Sequence, residues 1–198
     1  MSWSVDIDAA LAPLLPLVTG IAVCRAVESI VGTDAAALKW PNDVLVPSHG
    51  ERKLVGILAE VASTQRARDQ RPGSGELRVI VGMGMNIDLA LDEAPDDVAK
   101  RAVDLQTLTG LVVDRAALVD ALLDACEQAI DELVGSTQIA LDHYRSRCLT
   151  IGRAIRFETP TGELEGEAVG VADDGSLVLR TADGHEHLLT AGDAHHVG

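Results

Sequence analysis

The chain has 198 residues, room for one domain of ordinary size and a small appendage. Apolar residues make up 47% but aromatics only 2%, so the core must be built from Ala, Val, Leu and Ile. The formal net charge of −15 repels phosphate backbones, and the chain is expected to bind no nucleic acid. No apolar run approaches the roughly 20 residues of a membrane span, so no membrane contact is expected. MSWSVDID carries two aspartates and no basic stretch, unlike a signal or transit peptide. Cys24, Cys126 and Cys148 are odd in number and far apart, which argues against a disulfide framework or zinc cluster and fits a reducing cytoplasm.

In chain order, SWSVDID alternates and predicts a short strand. The Ala/Leu/Val-rich stretch that follows predicts a helix over Pro16–Ser29, ended near Gly32, with its prolines early. ALKWPNDVLV and RKLVGILAEV flank the turn cluster PSHGE, a hairpin signal. Residues 64–76 are polar with Pro and Gly and predict an exposed loop. ELRVIVGMGMNID predicts a third strand running into a glycine-rich turn. Helices are predicted over 94–103, 115–133 and 139–147; Leu118, Leu122, Ala125, Ile130 and Leu133 come close to one stripe of the second. From about residue 149, short alternating runs separated by TPTG, ADDG and ADG predict a small β-barrel-like domain.

Three clusters carry chemistry: Lys39–Asp43, Arg52–Leu58 and Gly82–Asn86. Together they offer lysines, amides, a carboxylate and backbone N–H groups beside Gly82 and Gly84, a set suited to a small anionic ligand. Each alone is weak. A single lysine such as Lys39 or Lys53 is more often a solvated edge charge. GMGMNI lacks the third glycine of the dinucleotide fingerprint, and no Gly-Lys-Ser/Thr occurs. His185/His187 and His195/His196 read as exposed polar ends rather than metal ligands, and no resident metal is expected. Asp173-Asp174-Gly175 reads as a turn and Cys148 as a buried thiol.

Taken jointly and in this order, KWPND, RKLVGIL and GMGMN resemble the bacterial biotin protein ligases, and the resemblance covers nearly the whole chain. It implies an α+β fold: a mixed or antiparallel sheet with packed helices, class II synthetase-like, at residues 1–148, then an SH3-like β domain at 149–198. It also implies an ATP- and Mg2+-dependent ligase that makes biotinyl-5'-AMP from biotin. Biotin then passes to a lysine of the biotin carboxyl carrier domain of acetyl-CoA carboxylase or a related carboxylase. By resemblance Lys53 is catalytic, bridging the biotin carboxylate and the phosphate. Gly56, Leu58, Gly82 and Gly84 border biotin, while Lys39, Asn42, Asp43 and Asn86 serve the nucleotide. The implied setting is cytoplasmic, with a homodimer as one option.

The family's glycine- and arginine-rich loop, of the GRGRxGR kind, has no counterpart in this sequence. MSWSVDID resembles the strand just after it, so the chain is expected to begin inside the catalytic domain, leaving a sheet edge and some apolar surface uncovered. Two other readings stay open at this stage: a non-catalytic protein that binds nucleotide or the carrier domain, and a lipoate-type ligase.

Overall fold

The computed structural model describes residues 1–32, 35–62, 75–90, 93–159, 162–190, 192 and 194–197. Alternation in SWSVDID becomes strand β1, Ser2–Asp8, with Trp3, Val5 and Ile7 turned inward. A single 3-10 turn at Ala12–Leu14 leads into helix α1, Leu15–Val31, longer at both ends than expected and stopped at Gly32. Pro16 sits in its first turn, where a missing N–H leaves no broken bond.

Ala12–Val31 is long and apolar enough to cross a membrane by length and composition, contrary to the expectation from apolar runs. The runs mislead because Arg25 and Glu28 interrupt them; these pair with Glu132 and Arg147. In the fold, 67% of this helix's most apolar window is buried, so it is the core helix of the protein.

ALKWPNDVLV, expected as one run, divides into β2, Ala37–Lys39, and β3, Asp43–Val46, at a turn holding a cis Trp40–Pro41 peptide. Pro41 has no N–H to donate to a ladder, so the strand cannot continue through it. A 3-10 turn at Pro47–His49 then leads to β4, Arg52–Val61. The expected loop over 64–76 lies outside the described residues up to residue 74, and Glu76 already opens β5, Glu76–Met85. Gly82 and Gly84 do not follow this strand in a turn. They lie inside it, opposite Leu58 and Gly56, and neither has a positive φ. The sheet runs β1-β5-β4-β3-β2, every pair antiparallel.

Helix α2 is only Asp96–Arg101, shorter than expected. Ala102 turns extended because Val103 N–H donates to the Lys53 carbonyl at 3.0 Å, a sheet-like bond that ends the helix. The unexpected α3, Leu105–Thr109, is capped by buried Asp104, whose Oδ1 accepts from Thr107 N–H at 2.7 Å. Helices α4, Arg115–Gly135, and α5, Thr137–Arg147, follow the expected segments, capped by Asp114 and Ser136. The stripe of α4 packs against α1: Leu118, Leu122, Ala125 and Leu133 are buried, and Ile130 partly so.

The C-terminal sheet holds β6, Ala154–Thr159; β7, Gly162–Val171; β8, Leu177–Thr181; β9, Glu186–Leu189; and β10, Ala194–His196. Its antiparallel order is β10-β6-β7-β8-β9. The ADDG turn docks it onto the first layer: a Cβ at Gly175, φ 86°, would lie 2.9 Å from Leu14 Cδ2. Buried hydrophobic residues run without a break from Ile7 through α1 and α4 to Ala194, so one core underlies both sheets.

Candidate active site

The KWPND turn is fixed from three sides. Trp40, 1% exposed, donates its backbone N–H to Thr150 Oγ1 at 3.1 Å and its indole N–H to the Gly175 carbonyl at 3.0 Å. Its ring lies 6.2 Å from that of Phe157, tilted by 50°. Asn42 supplies the rung that Pro41 cannot: its Nδ2 donates to the Ile57 carbonyl at 2.7 Å, and its own carbonyl accepts from Ile57 N–H at 2.9 Å. Asp43 therefore leaves the turn at a set position, opposite Lys39 on β2 and Gly56 on β4.

A bulge in β4 then brings Lys53 to Asp43. Leu45 pairs with Lys53 and Val44 with Val55, which leaves Leu54 as an extra residue. Strict alternation would put Lys53 and Gly56 on opposite faces of the sheet. The bulge re-aims Lys53 onto the face of Gly56. Lys53 Nζ is 2.6 Å from Asp43 Oδ1, with the lysine side chain 47% exposed and the carboxylate 16%. A Cβ added at Gly56 would come within 3.1 Å of both Cε and Nζ of Lys53, so the glycine makes space for this pair. Asn86 holds the bulge from behind. Its Nδ2 donates to the carbonyls of Lys53 and Val103, each at 3.1 Å, and its N–H donates to the Leu54 carbonyl at 2.9 Å.

Lys53 and Asp43 form a wall shared by two cavities. One, of about 690 Å³, is lined by Pro13, Leu17, Trp40, Asn42, Leu58 and, from the C-terminal sheet, Asp174 and Ser176. The other, of about 680 Å³, is lined by Lys39, Gly56, Gly84 and Asn86, with Lys100, Arg101, His195 and His196 beside them. Of the nine site residues that the resemblance implies, Gly82 alone borders neither of these two cavities; it lies opposite Leu58 on the same open face of the sheet. Leu58 is 60% exposed on that face.

Sequence reasoning missed Glu51, Lys100, Arg101 and the two C-terminal histidines. The histidine pair was read as an exposed chain end, yet the register of β10 on β6 carries both to the Lys39-side cavity. His196 is half-buried there. Burial, then the charges of Arg153 and Lys39, hold its pKa below the ordinary 6.5, while Glu51 pulls it up. The cavity gathers Lys39, Lys53, Lys100 and Arg101 against Asp43 and Glu51, a local positive excess in a chain of net charge −15. The thiols play no visible part: all three are buried and free, and burial pushes Cys24 up to about 12 and Cys126 up to about 11. Among the described residues no group of three or more His, Cys, Asp and Glu converges on a metal position.

The chain matches the Biotin/lipoate A/B protein ligase family over residues 2–71 and the Biotin protein ligase C terminal domain over residues 150–197. It is 32% identical over 188 residues to the bifunctional ligase/repressor BirA of Bacillus spizizenii, covering 94% of this chain and 54% of that protein. It is also 32% identical over 181 residues to the biotin–acetyl-CoA-carboxylase ligase of Paracoccus denitrificans, covering 89% of this chain and 70% of the other. The biotin protein ligase from Aquifex aeolicus, solved in complex with biotin and ATP, superposes with a TM-score of 0.72 at 24% identity, covering 98% of this chain and 76% of that one. The chain thus spans from about half to about two thirds of the length of these curated relatives. With its α+β layer, its antiparallel sheet and a small SH3-like C-terminal β unit, the chain belongs to the biotin protein ligase family.

Proposed function

We propose that this chain joins biotin to ATP as biotinyl-5'-AMP and then passes the biotin to a lysine of a carboxylase carrier domain. One observation carries the reading: the Lys53–Asp43 pair is the common wall of two cavities. A condensation of two anions needs two binding volumes that meet at a cation. The basic cavity at Lys39 suits the triphosphate of ATP. The Leu58 side, with apolar walls, suits biotin, whose carboxylate would reach Lys53.

In the first step a biotin carboxylate oxygen attacks the α-phosphorus of ATP. The new C–O–P linkage forms as the bond to pyrophosphate breaks. The Lys53 ammonium, held by Asp43, offsets the repulsion of the two anions and the charge gathering on the phosphoryl oxygens. In the second step the acceptor lysine amine attacks the acyl carbon, AMP leaves with the bonding electrons, and the amine proton is lost to solvent. Gly56 leaves room for Lys53, and Gly82, opposite Leu58, leaves the sheet face clear for the biotin ring system, while Gly84, opposite Gly56, opens the nucleotide-side cavity rather than bordering biotin. Asn86 on the nucleotide side and Asn42 on the Leu58 side, whose Nδ2 groups bind backbone carbonyls, act as positioning residues. Asp43 and Glu51, the two carboxylates in the basic cavity, would face a magnesium ion held on the nucleotide phosphates, which would help neutralise their charge.

The same reading divides the chain into a catalytic unit at 1–148 and a C-terminal unit at 149–198. It takes the carrier of acetyl-CoA carboxylase or a related enzyme as partner, places the reaction in the cytoplasm, allows a homodimer through the sheet, and assigns no nucleic-acid contact to this acidic chain. The test is transfer itself. Mass spectrometry of a carrier domain incubated with the chain, biotin and Mg-ATP is expected to show one added biotin, absent without ATP and absent when the acceptor lysine is replaced by Arg. Modification independent of ATP, or none, overturns the reading.

A further inference from the structure

Glu51 has a positive φ of 58°, and it is the one non-glycine with this property among the described residues. That region favours Gly, Asn and Asp; the Glu51 backbone closes a turn there, its N–H donating to the Val46 carbonyl at 3.1 Å, but its side chain gains nothing locally. What it gains is reach. Its carboxylate receives both terminal nitrogens of Arg153, from a residue 102 positions away at the start of the C-terminal unit. Its Oε2 also lies 3.9 Å from His196 Nδ1 on β10. The far nitrogen of that ring is 3.3 Å from Thr150 Oγ1, the same oxygen that accepts the Trp40 N–H. One connected set of bonds therefore runs from Glu51 through Arg153, whose N–H donates to the Thr150 carbonyl at 3.2 Å, to Thr150 and the KWPND turn, with His196 packed beside it. Glu51 and His196 both line the basic cavity.

We propose that Glu51 is a positioning residue that clamps β10 and the KWPND turn into one wall of the basic cavity, so that anion affinity there depends on a contact made far from the ligand. The clamp rests on geometry alone; its effect on ATP rests on the function proposed above. The first readout is therefore independent of nucleotide: amide hydrogen exchange over β10, where Val197 N–H bonds the Ala154 carbonyl at 2.9 Å. The second is Mg-ATP affinity by calorimetry.

Glu51→Gly separates the two explanations of the strained residue. Glycine suits φ 58°, so if the position matters only for its backbone, this variant protects β10 at least as well as the parent. If the carboxylate is the clamp, Glu51→Gly, Glu51→Gln and Arg153→Gln all open β10, with exchange over 194–197 faster by roughly tenfold and Mg-ATP affinity weaker by roughly tenfold. Arg153→Gln leaves the backbone at 51 untouched and guards against a variant that fails to fold. Unchanged exchange in the Gln and Gly variants overturns the clamp. Faster exchange with unchanged ATP affinity overturns its positioning role. Faster exchange in a chain whose parent binds no ATP supports the clamp and removes the nucleotide reading instead.

Discussion

Lys53 Nζ stands 2.6 Å from Asp43 Oδ1, in space that a side chain at position 56 would crowd, on the wall between two cavities. The aspartate confines a long flexible cation to one place, which is what a group that must meet two anions requires. Asp43→Asn keeps the shape and removes the charge that holds Lys53. The expected result is a fall in the rate of adenylate formation of roughly ten- to a hundredfold with the KM for ATP changed far less. Steady-state kinetics of pyrophosphate release check it.

Gly56→Ala is the complementary change. The added methyl comes within 3.1 Å of the far end of Lys53, a flexible group that can swing away, so the fold is expected to survive with little change in Tm. The ion pair is not. Loss of adenylate formation with an unchanged thermal transition is the expected outcome, and a fully active Gly56→Ala would show that the position of Lys53 is not critical.

Trp40 tests how the C-terminal sheet is tied to the site. Trp40→Phe keeps most of the buried ring and loses the indole bond to the Gly175 carbonyl, a cost of about 1 kcal/mol. Trp40→Ala empties a fully buried site and is expected to cost about 3–5 kcal/mol. Urea unfolding of both variants measures the two differences.

His196 gives the fold a pH dependence of known sign. Its folded pKa is lowered, so as pH falls the unfolded chain takes up the proton first, near 6.5, while the folded chain resists. Stability is flat above that pH with respect to this group and falls as pH drops toward the folded pKa. The carboxylates Glu132 and Asp174, also held low, act only nearer pH 4. His196→Asn is expected to flatten the slope just below pH 6.5 in denaturant unfolding, leaving the acid limb unchanged.

Much of this site was legible in the sequence because its parts lie in short unbroken runs. KWPND and RKLVGIL place a turn, a carboxylate and two lysines on adjoining strands, and the hairpin signals around them are local. The approach of Lys53 to Gly56 was not legible, since Leu54-Val55 reads as ordinary strand and the bulge arises from how β4 registers on β3. Helix α3 was missed although Asp104 is a local N-cap signal, because five residues show no helical periodicity and the bond from Val103 to Lys53 that sets its start is not local. His196 was misread because a terminal histidine pair looks solvated until the pairing of β10 with β6 is known.

The most direct test of the account is pyrophosphate release from Mg-ATP by this chain, with and without biotin, beside Lys53→Ala. The account predicts release that requires biotin and falls by roughly 10²–10³-fold in the variant, whose fold is confirmed by its thermal transition. Release that ignores biotin, or a folded Lys53→Ala that keeps the parent's rate, would contradict it.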